Sequence, residues 1–157
     1  MSQTNNTSLT RRGFIRGAGV AGVACVAAGT TVVRPAHASP ADEIIAQEFG
    51  AGSASEGAVD IKTKPKAENG ALVKIPVSID HPMEAGNYIA KAGVIVDSNP
   101  KPLVASFEFE PEAGKVQFEV RIKMAKSSNI RVVAKTNSGK LLMGKTHIEV
   151  AEGGCLA

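Results

Sequence analysis

A single cysteine near the C-terminus is the residue best suited to carry chemistry. Cys155 lies in the closing segment AEGGCLA, directly after Gly153 and Gly154. Glycine has no side chain and adopts a wide range of φ and ψ, so this segment is thin and flexible. When extended, the seven residues 151–157 span at most about 23–25 Å. The pattern predicts a flexible arm that carries a thiol beyond the domain surface.

The neighbours of this thiol do not favour a catalytic role. A nucleophilic cysteine needs an adjacent base, and none lies beside Cys155 in the sequence, where Glu152 disfavours a thiolate by like-charge proximity. We therefore expect no catalytic residue in this chain. We expect instead an attachment point that is activated by partner enzymes. The alternative is an incidental thiol on a structural or interaction subunit.

A small copper protein is a further alternative. A blue-copper site combines two histidines, a rigid cysteine and a weakly bound methionine. No histidine or methionine follows the cysteine, so the clustered loop typical of such sites is absent, and we expect no metal and no cofactor. The residues of suitable type are His81, Met83, Met143, His147 and Cys155.

The N-terminal segment has the features of an export signal. Residues 10–16, TRRGFIR, resemble the twin-arginine motif. An apolar region follows over residues 18–33, and Ala36-His37-Ala38 is a small-residue cleavage site. We predict a twin-arginine signal over residues 1–38 and a periplasmic protein. The alternatives are a membrane anchor, for which the apolar stretch is short, and a lipoprotein site at Cys25.

Removal of this signal changes the charge balance. Four of the 18 basic residues and none of the 15 acidic residues fall within residues 1–38, so residues 39–157 carry 14 basic and 15 acidic side chains, a net charge of −1. With no tryptophan and no basic cluster, nucleic-acid binding is not supported. The remaining length suits one small domain with a single core.

The elements that must position the thiol begin with a helix. A short helix and linker are predicted over residues 39–57, because Ser39 or Pro40 can begin a helix and Gly50 can end it. Ile44, Ile45 and Phe49 would form its apolar face. A segment rich in glycine, alanine and serine continues to residue 57.

Alternating apolar and polar residues predict a β-sandwich domain over residues 58–150. Phe107 and Phe109 should share one strand face, with Glu108 and Glu110 on a hydrated face opposite. Pro76 cannot donate to a ladder and predicts an edge or bulge. About seven short strands at this spacing indicate an all-β, antiparallel β-sandwich. The predicted strands cover 59–61, 71–79, 89–97, 103–110, 116–124, 130–136 and 141–150.

Several short motifs, taken in order, resemble the SoxY family, the sulfur-carrier subunits of the bacterial Sox thiosulfate-oxidising system. The resemblance covers the chain from the predicted helix to the C-terminal cysteine. The motifs are His81-Pro82-Met83, Asn87-Tyr88-Ile89, Asn99-Pro100-Lys101-Pro102, Phe107-Glu108-Phe109, Gly114-Lys115, Met124-Ala125 and Gly153-Gly154-Cys155.

The resemblance implies an immunoglobulin-like β-sandwich that forms a heterodimer with a second β-sandwich subunit, SoxZ. It implies that Cys155 carries thiosulfate-derived sulfur as a covalent adduct on an arm made flexible by Gly153 and Gly154. A c-type cytochrome, a hydrolase and a sulfane dehydrogenase would act on that adduct. The chain itself would be a carrier and not an enzyme, with neither nucleic acid nor membrane as a partner.

The tail departs from the family pattern, which is usually Gly-Gly-Cys-Gly-Gly. Here Leu156 and Ala157 follow the cysteine. A leucine just past the sulfur either clashes in a channel shaped for glycine or docks in an apolar pocket. A divergent relative that serves another sulfur route therefore stays open as an alternative.

Overall fold

The computed structural model describes residues 38–152, except for the side chain of Glu152. The predicted export signal and the Gly153-Gly154-Cys155 motif lie outside the described residues, apart from Ala38 at the predicted cleavage site. The described elements are a helix α1 (Pro40–Phe49), a 3-10 turn (Pro111–Ala113) and the strands β1 (Ala54–Glu56), β2 (Val59–Ile61), β3 (Lys66–Asn69), β4 (Val73–Ile79), β5 (Ile89–Val96), β6 (Leu103–Glu108), β7 (Val116–Ile122), β8 (Ser128–Thr136) and β9 (Leu141–Glu152).

These strands form two sheets, which confirms the predicted all-β sandwich with a short N-terminal helix. The larger sheet has the order β1-β9-β8-β5-β6, with β3 also paired to β9, and the smaller sheet has the order β2-β4-β7. Most pairs are antiparallel, but β1 and β3 both run parallel to β9. Among the residues that the structure describes, none of the helical segments has the length and hydropathy of a transmembrane span.

Helix α1 begins and ends at the residues that the sequence indicates. The Ser39 hydroxyl accepts a hydrogen bond from the Asp42 backbone N–H at 3.2 Å, and the Asp42 carboxylate accepts one from the Ser39 N–H at 3.0 Å. This reciprocal pair is a capping box, which satisfies N–H groups that have no partner within the helix. Gly50, with φ of 107°, ends the helix in a conformation that favours glycine.

The two faces of the larger sheet are buried by different elements. One face packs on the smaller sheet around residues such as Ile75, Val94 and Val132. The other packs under α1, where Phe49 is 1% exposed. A Cβ atom on Gly93 would lie 2.5 Å from Phe49 Cζ, so the helix sits this close only because β5 has a glycine there.

The buried face of α1 differs from the predicted one. Ala41, Ile45 and Phe49 are buried, while Ile44 is only half-buried. Positions 41, 45 and 49 follow the four-residue spacing of one helix face, which places the smaller Ala41 against the sheet. Adjacent residues on a helix point about 100° apart, so Ile44 and Ile45 do not share the centre of that face.

Two short strands were not predicted. Strand β1 lies within the segment predicted as a linker, and β3 falls before the predicted strand at 71–79. Their sequences, ASE and KAEN, are largely polar and exposed, so they have no apolar alternation to reveal them. Both form because the edge of β9 offers backbone partners, which is a tertiary effect.

Pro76 lies within β4 at a position that needs no N–H donor. Its carbonyl accepts a hydrogen bond from Lys62 N at 3.0 Å, just beyond the end of β2. In a strand, the N and O atoms of one residue point to the same side, so the missing N–H faces the side on which β2 has ended. The proline therefore leaves the pairing with β7 continuous, including the Pro76–Glu119 position.

Candidate functional site at the base of the C-terminal arm

Strand β9 includes the first two residues of the predicted arm, 151 and 152, and is anchored at its start by a hairpin. The turn between β8 and β9 contains Gly139, with φ of 87°. The Thr136 backbone N–H donates to the Lys140 carbonyl at 2.9 Å, and the Lys140 N–H donates to the Thr136 hydroxyl at 3.0 Å. The two strands then pair over eight residues each. The first part of β9 is therefore fixed within the larger sheet.

The last part of β9 extends past β8 and is held by β3 instead. The β8–β9 ladder ends at the Ser128–Ile148 pair. Beyond it, Val150 N donates to the Ser127 hydroxyl at 2.9 Å, and Glu149 N donates to the Pro65 carbonyl at 2.8 Å. Strand β3 thus fixes the base of the arm, although β3 itself is a polar edge strand.

The parallel register places the end of β3 beside the last residue of β9. Lys66 pairs with Glu149, and Asn69 pairs with Glu152. The Asn69 side-chain oxygen accepts a hydrogen bond from Ala71 N at 2.7 Å, which turns the chain towards β4. Cys155 follows Glu152 by three residues, so its backbone is within about 10–11 Å of this point. The cysteine itself lies outside the described residues.

A cleft rich in lysine lies between β3, the segment before it and β4. Its volume is about 560 Å³, within the usual range for small-ligand sites. Four lysines and two glutamates line it, together with polar and apolar residues of β3 and β4. The charged lining residues are Lys62, Lys64, Lys66, Lys74, Glu68 and Glu119.

Few carboxylates neutralise these lysines. Among the described residues, Lys62 lies 3.6 Å from Asp60 in an exposed pair, and none of the other three cleft lysines forms a salt bridge with a described residue. In β4, Lys74 pairs across the strands with Arg121, which adds another positive charge nearby. The residues that line the cleft therefore carry two more positive than negative charges, close to the base of the arm.

This cleft was not predicted from the sequence. The overall net charge of residues 39–157 is slightly negative, and that average hides a local run in which Lys62, Lys64 and Lys66 alternate with other residues. This alternation was a usable signal. The fourth lysine, Lys74, comes from β4 and could be added only once the pairing of the strands was known.

The residues considered for copper do not form one group in the described structure. Met83 packs against the core between the sheets, while Met143 packs against the cluster under α1, on the opposite face of the larger sheet. His81 Nδ1 lies 2.7 Å from the Pro82 carbonyl, and His147 Nδ1 lies 3.1 Å from Asn129 Oδ1. Within residues 38–152, no three His, Cys, Asp or Glu side chains are grouped to hold a metal.

A partly buried group of ion pairs lies elsewhere, beneath α1. Arg131 Nε is 2.8 Å from Asp97 Oδ1, and the same guanidinium contacts the Asp42 carboxylate. The hydrogen bond from Ser39, followed by that from Arg131, lowers the pKa of Asp42 to about 2. Burial lowers the pKa of Arg131, but its hydrogen bonds with Asp97 and Asp42 raise it above the ordinary value overall. The ion pair between Asp42 of α1 and Arg131 of β8 therefore links the helix to the larger sheet.

The internal motifs that carry the family resemblance have structural roles. The amide of Asn99, only 8% exposed, donates to the Lys123 carbonyl at 2.9 Å. The sulfur of Met83 accepts from Ile89 N at 3.4 Å, and Met124 is fully buried. Gly114 has φ of 68° in the turn before β7. These residues shape loops and the core, which leaves the C-terminal motif as the part that could carry chemistry.

Comparison with solved structures supports the same relationship. The chain is similar to the sulfur carrier protein SoxY from Chlorobium limicola f. thiosulfatophilum, with 33% sequence identity and a TM-score of 0.60. The match covers 69% of this chain and 94% of that one. A superoxide reductase (neelaredoxin) from Ignicoccus hospitalis matches with 20% identity and a TM-score of 0.54, over 60% of this chain and 80% of that one. This second likeness shows a shared fold only.

Comparison with family models gives a match that includes the predicted site. No curated protein matches the chain. The model described as "Sulfur oxidation protein SoxY" matches residues 45–155, so it extends from helix α1 to Cys155 and includes the Gly-Gly-Cys motif. With most of the chain covered and a solved SoxY structure matched at 33% identity, the chain belongs to the SoxY family of sulfur oxidation proteins.

Proposed function

We propose that this protein carries thiosulfate-derived sulfur as a covalent adduct on Cys155 and presents it to partner enzymes. The observation that carries this proposal is the family match, which runs through the described sandwich and ends at the cysteine. A folded domain followed directly by a short Gly-Gly-Cys segment suits a carrier, because the domain can dock on a partner enzyme while the thiol enters the active site of that enzyme.

In the proposed loading step, the Cys155 thiol and thiosulfate form a sulfur–sulfur bond. The thiol loses its proton and the two sulfur atoms together lose two electrons, which gives Cys–S–S–SO₃⁻. A c-type cytochrome partner accepts the two electrons. The carrier supplies the cysteine sulfur on an extended segment, while the c-type cytochrome partner is the oxidant.

In the proposed unloading step, water cleaves the bond between the outer sulfur and the sulfonate. This hydrolysis releases sulfate and a proton and leaves Cys–S–SH, with no net oxidation. A hydrolase performs it, and a sulfane dehydrogenase then oxidises the remaining outer sulfur. The adduct stays attached throughout, which keeps a reactive intermediate from diffusing away.

The proposed setting is the periplasm, which the protein reaches by twin-arginine export directed by residues 1–38. This route suits a folded carrier that pairs with a second β-sandwich subunit of the SoxZ type before export. The tail residues Leu156 and Ala157 distinguish this carrier from the usual glycine-flanked pattern. A neighbouring leucine would alter which partner active sites accept the arm.

The variant Cys155→Ser tests this proposal in a reconstituted sulfur-oxidising system. It should fold normally and support no thiosulfate oxidation above background, because the serine oxygen cannot form the sulfur–sulfur bond. A matched control is Cys25→Ser, which changes the other cysteine and should leave turnover unchanged. Thiosulfate oxidation by Cys155→Ser at the wild-type rate would disprove the carrier role.

A further inference from the structure

The lysine-lined cleft and the base of the arm adjoin each other, and this juxtaposition has a consequence for the loaded carrier. Asn69 lines the cleft and also pairs with Glu152, the last described residue before Gly153-Gly154-Cys155. Neighbouring strands lie about 4.8 Å apart. The point at which β9 ends is therefore at the rim of the cleft.

We propose that this cleft is a resting site for the anionic adduct on Cys155, which docks there on its own chain between visits to partner enzymes. This inference rests on the proposed carrier function and adds to it a site in the described domain. The ligand is the terminal sulfonate of a thiosulfate-derived group, and the site is formed by the lysines of the cleft.

The length of the arm fits this site. Cys155 follows Glu152 by three positions, a reach of up to about 10–11 Å. Lys66 precedes Asn69 by three residues on β3, a distance of about 10 Å along the strand. For the thiol to approach the lysines, the chain must reverse just after β9. Gly153 and Gly154 occupy those positions, and glycine accommodates the positive φ values that tight reversals need.

The charge of the cleft fits the adduct. Four lysines outnumber two glutamates among the lining residues. An unloaded thiol is neutral, whereas Cys–S–S–SO₃⁻ carries a negative charge that lysine ammonium groups bind as point charges. Loading would therefore increase the occupancy of the cleft, and hydrolysis that releases sulfate would decrease it.

Tethering makes such a site effective even when its intrinsic affinity is low. A group held on a short flexible linker reaches an effective concentration in the millimolar range. A lysine site with a dissociation constant in the same millimolar range would thus be about half occupied by the attached adduct. The same weakness lets the arm leave readily when a partner active site approaches.

Nuclear magnetic resonance can test this docking without any partner enzyme. The protein is the full ¹⁵N-labelled chain carrying Cys25→Ser, so that Cys155 is the one thiol. Tetrathionate converts it to Cys–S–S–SO₃⁻ and releases thiosulfate. Methyl methanethiosulfonate gives the neutral control adduct Cys–S–S–CH₃ and releases methanesulfinate.

The anionic adduct should shift the backbone amide resonances of Lys64, Lys66 and Lys74 at least twofold more than the neutral adduct does. The shifts should decrease in 0.5 M NaCl, because salt screens exposed charges over a few ångströms. Shifts confined to residues 150–157, or equal shifts with both adducts, would overturn the proposal.

Matched variants separate the cleft from general surface charge. The triple variant Lys64→Gln, Lys66→Gln and Lys74→Gln should lose the adduct-induced shifts in the remaining cleft residues, such as Asn69 and Val73. The control variant changes three exposed lysines outside the cleft to Gln and should retain them. Equal loss in both variants would overturn the proposal. The control lysines are Lys101, Lys115 and Lys140.

Two further measurements separate docking of the attached adduct from binding of a free anion, and separate docking from the carrier role. Free thiosulfate at tens of millimolar should shift the same resonances in Cys155→Ser. If the free anion shifts them and the attached adduct does not, the cleft binds a free anion and arm docking is wrong. Since loading here is chemical, docking can succeed while the turnover assay of Cys155→Ser refutes the carrier role, and the reverse also holds.

Discussion

Two regions of the described structure differ in how their charged side chains are paired. Beneath α1, Arg131 lies between two carboxylates, and its side chain is only 16% exposed. In the cleft beside the base of the arm, lysines outnumber carboxylates and lie open to solvent. In a structural ion pair the opposite charges neutralise each other within the fold, whereas an excess of positive charge is available to bind an anionic ligand. The first region therefore contributes to stability and the second is suited to binding.

The same contrast holds for large apolar side chains. Phe49, the last residue of α1, is 1% exposed and packs over Gly93 of β5, while Leu72 at the cleft is 60% exposed. Burial of apolar area is the main favourable term in folding. A truncation at each position measures how differently the two regions contribute.

The largest expected effect is on Phe49→Ala. We expect this variant to lower the free energy of unfolding by about 3–5 kcal/mol, because it removes a buried ring and leaves a cavity between α1 and β5. Leu72→Ala is the matched control and should change stability by no more than about 0.5 kcal/mol. Urea unfolding of both variants checks the comparison. Equal losses in the two would show that α1 is not held by its apolar face.

A smaller effect is expected for Asp42→Asn, and it should depend on pH. The pKa of Asp42 is about 2 in the folded protein against an ordinary 3.8. A lowered pKa gives stability that is fully present above about pH 4 and fades as pH falls towards 2. Since the Asp42 side chain is 47% exposed, solvent screening limits the loss at pH 7 to about 0.5–1 kcal/mol.

The measurement is the free energy of unfolding of wild type and Asp42→Asn between pH 2 and pH 7. The difference between them should shrink as the pH falls. Lys66→Gln supplies the comparison from the cleft and should change stability by no more than about 0.5 kcal/mol at either pH. A difference for Asp42→Asn that stays constant down to pH 2 would show that its charge does not stabilise the helix.

Much of the sandwich could be predicted because its longer strands have strong local patterns. Strand β4 buries Val73, Ile75, Val77 and Ile79 in strict alternation, and helix α1 is bounded by Ser39 and Gly50. Such patterns depend only on the period of the backbone. Strand β3 has no such pattern, and its position is set instead by backbone pairing with the edge of β9.

The candidate site divides in the same way. The Gly-Gly-Cys motif is visible in the sequence because it consists of adjacent residues. The cleft beside it joins Lys62, Lys64 and Lys66 to Lys74 of β4, and it borders β9 through the parallel register of β3. Parallel pairing between distant segments has no short-range signal, so this neighbourhood emerges only from the fold.

Whether Cys155 carries sulfur in the cell can be measured by intact-mass and peptide mass spectrometry of the protein from cells oxidising thiosulfate. We expect the C-terminal peptide to carry added sulfur or thiosulfate-derived mass on Cys155, and a thiol reductant to remove it. The Cys155→Ser protein from the same cells should carry none. An unmodified Cys155 in cells that are actively oxidising thiosulfate would show that this cysteine is not the carrier site.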